Sequence, residues 1–167
     1  MKSRGELNTE KVNPLSETID SMSIEDILIT INREDSKISG AVKEAIPEIE
    51  ATIELTLESI KSGGRIFYIG AGTSGRLGVL DASEIPPTYS APEDYFVGVI
   101  AGGDKALRQS IEGAEDSTEN AINDLNLLNI NNNDTVIGIS CSGAASYVIA
   151  GLEHARQNNA KTVYLIT

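Results

Sequence analysis

The sequence predicts an α/β fold: a doubly wound parallel sheet with helices on both faces, preceded by an N-terminal helical arm. Three observations predict it. Short apolar runs at 66–69, 95–101, 135–140 and 162–167 read as buried strands. Segments with helical periodicity fill the intervals, and strands alternating with helices of ten or more residues form parallel sheets joined by right-handed crossovers. A chain of 167 residues with 40% hydrophobic content can bury a single sizeable core.

The first dozen residues are polar, and Asn13-Pro14 marks a turn. Ser23, with Asp26 three positions on, opens a helix in the manner of a capping box, and Ile24, Ile27, Leu28 and Ile31 recur at helical spacing behind it. A second stripe, Ile49, Ile53, Leu57 and Ile60, ends at Gly63-Gly64. Residues 1–48 are accordingly assigned to an arm and 49–167 to one domain. After the strand Ile66-Phe67-Tyr68-Ile69 comes a glycine loop, then a helix carrying Leu77, Leu80 and Ala82, which Pro86-Pro87 are expected to stop. Residues 105–126 read as one or two helices, Asn131-Asn132-Asn133 as a turn and 144–157 as a further helix. The final strand has no covering helix after it, which leaves a sheet edge open.

Composition excludes several classes of function. With 25 acidic against 13 basic residues the net charge is -12, which repels nucleic acid and anionic membranes. One cysteine, Cys141, and one histidine, His154, give neither a disulfide framework nor a zinc site, so no metal is expected. No run approaches the roughly 18 apolar residues of a spanning helix, and the first 13 residues lack a secretory core, so a cytoplasmic location is expected.

The segment Gly70-Ala71-Gly72-Thr73-Ser74-Gly75-Arg76 joins a strand's carboxyl end to a helix's amino end. Glycines let a ligand approach the backbone, the open N–H groups and helix dipole favour an anion, and Thr73 and Ser74 add hydroxyls, so phosphate is the expected ligand. The three glycines also fit a dinucleotide fingerprint. Against that reading, the acidic residue due at the end of the next strand is missing, and Asp104 follows roughly 30 residues past the loop instead of roughly 20. Ser140-Cys141-Ser142-Gly143 also leaves a strand for a helix, so its hydroxyls could complete the same cradle. Ser142 could equally just cap that helix. Cys141 reads as a small packing residue and His154 as a surface residue. Acid/base chemistry then falls to carboxylates, of which Glu84, before Pro86-Pro87, and Glu115, after Gly113-Ala114, stand out by context.

The run from Gly70 to Glu84, Pro86-Pro87-Thr88, Ala101-Gly102-Gly103 and Glu112-Gly113-Ala114-Glu115-Asp116, with Thr9-Glu10, Asn13, Met22-Ser23 and Asn32-Arg33-Glu34-Asp35, resembles the N-acetylmuramic acid 6-phosphate etherases. The resemblance implies a sugar isomerase (SIS) fold, a homodimer, no metal or cofactor, and a small-molecule amino-sugar phosphate as substrate. The implied reaction is a lyase reaction of cell-wall recycling that cleaves a lactyl ether to N-acetylglucosamine 6-phosphate and D-lactate. It further implies Glu84 as proton donor and Glu115 as the second acid/base, with Gly72, Thr73, Ser74, Arg76, Ser140 and Ser142 binding substrate. A donor must hold its proton near neutrality, and the apolar helix and prolines around Glu84 are expected to supply the desolvation. Where the resembled family carries Ser-Gly-Arg-Thr-Pro-Tyr, this chain has Ser142-Gly143-Ala144-Ala145-Ser146-Tyr147, without the arginine and threonine. The family also continues past Thr167 with further sheet and a helical region. A non-catalytic sugar-phosphate sensor and a sugar-phosphate isomerase are the competing readings, and the pair Glu84 and Glu115 favours the etherase over the sensor.

One constraint comes from helix geometry alone. On an unbroken helix Glu84 lies about 15 Å from Ser74, beyond the reach of a hexose phosphate held at the helix start. Glu84 is therefore expected either to serve a phosphate held by a neighbouring subunit or to lie beyond a break in the helix.

Overall fold

The computed structural model describes residues 8–167. Residues 1–7, the start of the expected arm, lie outside them. The chain divides into two compact units, one ending at Ile53 and one spanning Glu54–Thr167.

In the first unit Asn13 caps a 3-10 turn at Pro14–Ser16, its side chain accepting from the Leu15 amide, and helix α1 covers Ile24–Asp35. Ser23 caps α1 as expected: its hydroxyl accepts from the Asp26 amide at 3.1 Å and donates to the Asp26 carboxylate at 2.6 Å. Asn13 also donates to Glu34 at 3.0 Å, tying the turn to the end of α1. Lys37 first, then Asn13, holds the Glu34 carboxyl below its ordinary value. A short helix that periodicity missed, α2 at Ile38–Glu44, precedes α3 at Ile46–Lys61, which runs on into the second unit. The apolar stripe expected to bury α3 is instead largely open to solvent at Ile49, Ile53 and Leu57.

Helix α3 closes as its glycines predict. Gly63 takes a left-handed φ of 75° and the Gly64 amide reaches back to the Ser59 carbonyl at 2.8 Å. Strand β1 (Ile66–Gly70), helix α4 (Gly72–Tyr89), strand β2 (Phe96–Ile100), helix α5 (Thr118–Leu127), strand β3 (Thr135–Ile139), helix α6 (Ser146–Gln157) and strand β4 (Lys161–Leu165) follow. All strand pairs are parallel, in the order β2-β1-β3-β4. Neighbouring side chains on β1 go to opposite faces. Tyr68 lies under Gly78 of α4, whereas Ile69 meets Gly151 of α6, so helices cover both faces. The doubly wound fold is as expected. The core lies mainly on the α5/α6 face, among Phe67, Ile69, Leu125, Val136, Tyr147 and Val148.

At the amino edge Asp134, fully buried, is closed off by donors. Its Oδ1 accepts from the Arg65 amide at 2.8 Å, and its Oδ2 from the Arg65 guanidinium at 3.3 Å and from the Asn131 amide at 2.9 Å. Arg65 also stacks over Phe67, 4.7 Å from the ring centre. His154, expected at the surface, is half-buried and bridges α6 to α5, with Nε2 2.8 Å from the Asn126 side-chain oxygen.

Two further sequence expectations fail. Helix α4 passes through Pro86 and Pro87 to Tyr89 before Ser90 turns left-handed. The prolines remove the amide donors for the Ala82 and Ser83 carbonyls, but they sit in the last turns, where few helical bonds remain to be lost. Residues 105–117 form no α-helix. They make two 3-10 turns, Asp104–Leu107 and Ala114–Asp116, because Gly102, Gly103 and Gly113 take positive φ and interrupt any helical register.

Tyr147 donates to Asp124 at 2.6 Å, and burial, reinforced by that carboxylate, pushes its phenol well above the ordinary value. A raised value in the folded state means that the stabilisation is complete below about pH 10 and is lost as pH rises further. Denaturant titrations should therefore show stability falling above about pH 10. Tyr147→Phe should cost about 1 kcal/mol at neutral pH and flatten that alkaline fall.

Candidate active site

The strand order turns at β1 and β3, whose carboxyl ends flank the crevice where open α/β sheets bind ligands. Residues 70–76 leave β1 and residues 140–143 leave β3, so both loops singled out in the sequence lie at that switch point. The two loops meet where Ser74 Oγ lies 3.9 Å from Cys141 Sγ.

Two of the loop's glycines are required by packing. A Cβ at Gly70 would lie 2.6 Å from the Gly75 nitrogen, and one at Gly75 would lie 2.7 Å from both the Gly70 oxygen and Ile100. The start of α4 is thereby pressed onto the end of β1. Ala71 at the N-cap offers no side-chain bond, so the first amides of α4 have no capping partner from it. This is an anion cradle in geometry.

The predicted binding residues separate into two groups around the start of α4. Gly72 and Arg76 line a cavity of about 280 Å³ with Ala101, Ser110, Glu112 and Glu115. Arg76 donates to the Gln109 carbonyl at 3.2 Å, which fastens the 3-10 segment to α4. Ser74 faces the second loop instead, and Thr73 is exposed.

In the second loop Ser140 is buried at 6% exposure and accepts from the Gly143 amide at 3.2 Å. It also hydrogen-bonds Tyr164, whose phenol burial pushes upward. Ser140 therefore shapes its own loop. Ser142 does not cap α6: its hydroxyl accepts from the Ala144 amide at 3.2 Å, while the cap position is Ala145, without a side-chain bond. Cys141, expected to pack, is exposed, with its Sγ toward Ser74 of the first loop.

The two glutamates are not brought together within one chain. Glu115 lies at the cavity. Glu84 lies on the face of the unbroken α4 that points away from its own sheet, in line with Leu77 and Leu80. It is exposed, so its own helix and prolines do not provide the expected desolvation. Sequence reasoning missed Ser110 and Glu112 as cavity residues, with Ser110 donating to Glu112 at 2.8 Å. The signal was present in the run 112–115, where two carboxylates flank a positive-φ glycine. Among the described residues no group of histidine, cysteine and carboxylates has the arrangement of a metal site, and no helix is long and apolar enough to cross a membrane.

Residues 48–156 match the family described as the glucokinase regulatory protein N-terminal SIS domain. The chain belongs to that family. Curated relatives of this SIS domain include proteins named N-acetylmuramic acid 6-phosphate etherase. The one from Lactococcus lactis subsp. lactis (strain IL1403) is 49% identical, over 95% of this chain and 54% of that protein. The one from Clostridium botulinum (strain Eklund 17B / Type B) is 54% identical, over 93% and 52%. The chain thus spans about half the length of the curated relatives it matches. Among solved structures, the SIS domain superposes on a phosphoheptose isomerase from Neisseria gonorrhoeae with a TM-score of 0.65 and 19% identity, covering 85% of this chain and 73% of the other. A phosphoheptose isomerase from Francisella tularensis gives 0.63 and 19%, covering 83% and 74%. At that identity the likeness is one of fold.

Gly75→Ala should lower stability by about 1–3 kcal/mol, because the added methyl meets backbone that cannot rotate away. Gly72→Ala, with nothing within 4 Å of its Cβ, pays only for its φ of 55° and should cost less in the same denaturant titrations.

Proposed function

We propose that this SIS domain belongs to an N-acetylmuramic acid 6-phosphate etherase, a carbon–oxygen lyase working in the cytoplasm as a homodimer on an amino-sugar phosphate. The observation that carries the reading is the cavity in which Glu115 and Arg76 face the uncapped start of α4, in a chain about half identical to proteins of that name.

The phosphate is held by the first amides of α4 with the Thr73 and Ser74 hydroxyls, Arg76 contributes positive charge, and Ser140 and Ser142 hold the opposing loop in shape. Ring opening places an aldehyde beside C2 and acidifies the C2 proton. One glutamate removes that proton. The C3–oxygen bond then breaks, and the departing lactyl oxygen takes a proton from the other glutamate, leaving a C2–C3 double bond. Water adds to this bond, its hydroxyl to C3 and a proton to C2, to give N-acetylglucosamine 6-phosphate and D-lactate. Glu84 serves as donor to the lactyl oxygen and Glu115 as the second acid/base. These steps exchange only protons and water, so the reading assigns no cofactor. Because α4 is unbroken and Glu84 lies about 15 Å along it from Ser74, Glu84 acts on the sugar held by the neighbouring subunit.

D-lactate release from N-acetylmuramic acid 6-phosphate tests the reading. Glu84→Ala and Glu115→Ala should each lower kcat by about 10²–10⁴-fold. Mixing the two inactive variants should restore about a quarter of the native rate, since half of the dimers would contain one complete pair of glutamates. Bound sugar phosphate without lactate would point to a sensor, and failure of the mixture to recover activity would place Glu84 in its own subunit's reaction.

A further inference from the structure

The start of α4 divides its surroundings by chemistry as well as by position. Successive helical residues turn by about 100°, so Ser74 and Arg76 point to nearly opposite sides, whereas Gly72 and Arg76, one turn apart, share a side. On the Ser74 side lies the second loop, which offers serine hydroxyls. On the other side lies the cavity with Glu112 and Glu115, and among the described residues that line it Arg76 is the sole cation. Its guanidinium donates to the Gln109 carbonyl at 3.2 Å, which fixes the side chain and leaves its other donors for a ligand. Ala106 and Ile111 add apolar wall beside it.

The substrate of the proposed reaction carries two anions, the phosphate on C6 and the carboxylate of the lactyl group on the C3 oxygen. That carboxylate sits beside the ether bond that breaks. Wherever the reacting carbons meet Glu115, it therefore enters the cavity and faces two glutamates. Like charges a few ångströms apart repel, and more strongly as a bound sugar displaces water, so a cation must offset them. Resting on the etherase reading above, we infer that Arg76 recognises the lactyl carboxylate, while the amides and hydroxyls at the helix start hold the phosphate. An arginine fork pairs with a carboxylate through two parallel N–H donors, which fixes its orientation as well as its charge. Ala106 and Ile111 give the lactyl methyl an apolar surface. Arg76 is thereby a specificity-determining residue, selecting sugar phosphates that bear the lactyl acid over those that lack it.

Titration calorimetry on the native-length chain tests the assignment, with Glu84→Ala present throughout so that no ligand is consumed. The ligands are N-acetylmuramic acid 6-phosphate, its lactyl carboxamide, which lacks only the charge, and N-acetylglucosamine 6-phosphate, which lacks the lactyl group. Adding Arg76→Ala should weaken binding of the acid about 10–100-fold and of the other two by less than about 3-fold. Arg76→Lys keeps the charge without the fork, so its loss for the acid should be smaller but still confined to that ligand, and it replaces the alanine variant if circular dichroism shows the latter unfolded. Equal losses for all three ligands, as expected of a phosphate contact or of a mere brace for the 3-10 segment, would overturn the assignment. So would an unchanged affinity for the acid, or a chain that binds none of the three. Lactate release is measured alongside with Glu84 intact: its absence while Arg76 still discriminates the acid counts against the etherase reading, whereas its presence with equal losses counts against the assignment alone.

Discussion

The contact on which the rest of the site depends is the one between the backbone of Gly70 and that of Gly75. Ordinary side chains at these positions would hold helix and strand apart, since either Cβ would fall inside the van der Waals radius of the opposing main chain. With glycines, α4 begins directly on the carboxyl end of β1, and its first amides point into the crevice at the switch point. The arrangement is not free, because a glycine inside a helix costs about 1 kcal/mol relative to alanine and α4 contains several. The cost is offset by close packing on β1 and β2, where Gly78 accepts Tyr68 and Gly98 accepts Val79. The same need explains why the loop imitates a dinucleotide fingerprint: both demand that a helix sit close on a strand.

The opposite edge of the sheet is held by polar rather than steric means. Asp134 is a fully buried carboxylate in a chain of net charge -12, and it is tolerable there because an arginine, two backbone amides and an asparagine side chain point at it. It links the start of β1 to the turn before β3, and the Lys161 amide donates to its carbonyl, which brings in β4. With that edge pinned, the loops at the carboxyl edge are set in register over the crevice.

Much of this was legible in the residues themselves. The four strands, the capping box at Ser23 and the glycine stop of α3 are local signals, carried by short-range sterics and hydrogen bonds that any context preserves. The errors fall where tertiary context decides. Pro86-Pro87 read as a stop, but near a helix end a proline removes little. Residues 105–126 read as one or two helices, but only α5 forms there, because positive φ at Gly102, Gly103 and Gly113 breaks the register before it, which a glycine's identity permits without announcing. For Ser142 the sequence left a helix cap and a part in the cradle both open, and its hydroxyl turns to its own loop, which rules out the cap. The convergence of the loops at 70–76 and 140–143 followed from topology. That the binding residues fall into two groups on either side of the α4 start did not, because it depends on the rotation of a helix about its own axis.

The passage of α4 through two prolines divides the helix into ends of unequal stiffness. Its start is clamped by glycine contacts and by the bond from Arg76 to Gln109, so whatever the first amides hold is held rigidly. In its last turns the Ala82 and Ser83 carbonyls have lost their helical donors, and bending there breaks fewer bonds. Glu84 sits next to the carbonyls that have lost their donors, on backbone that bends more easily than the clamped start. A single helix thereby has a firm end pressed on the sheet and a more compliant end beyond its prolines.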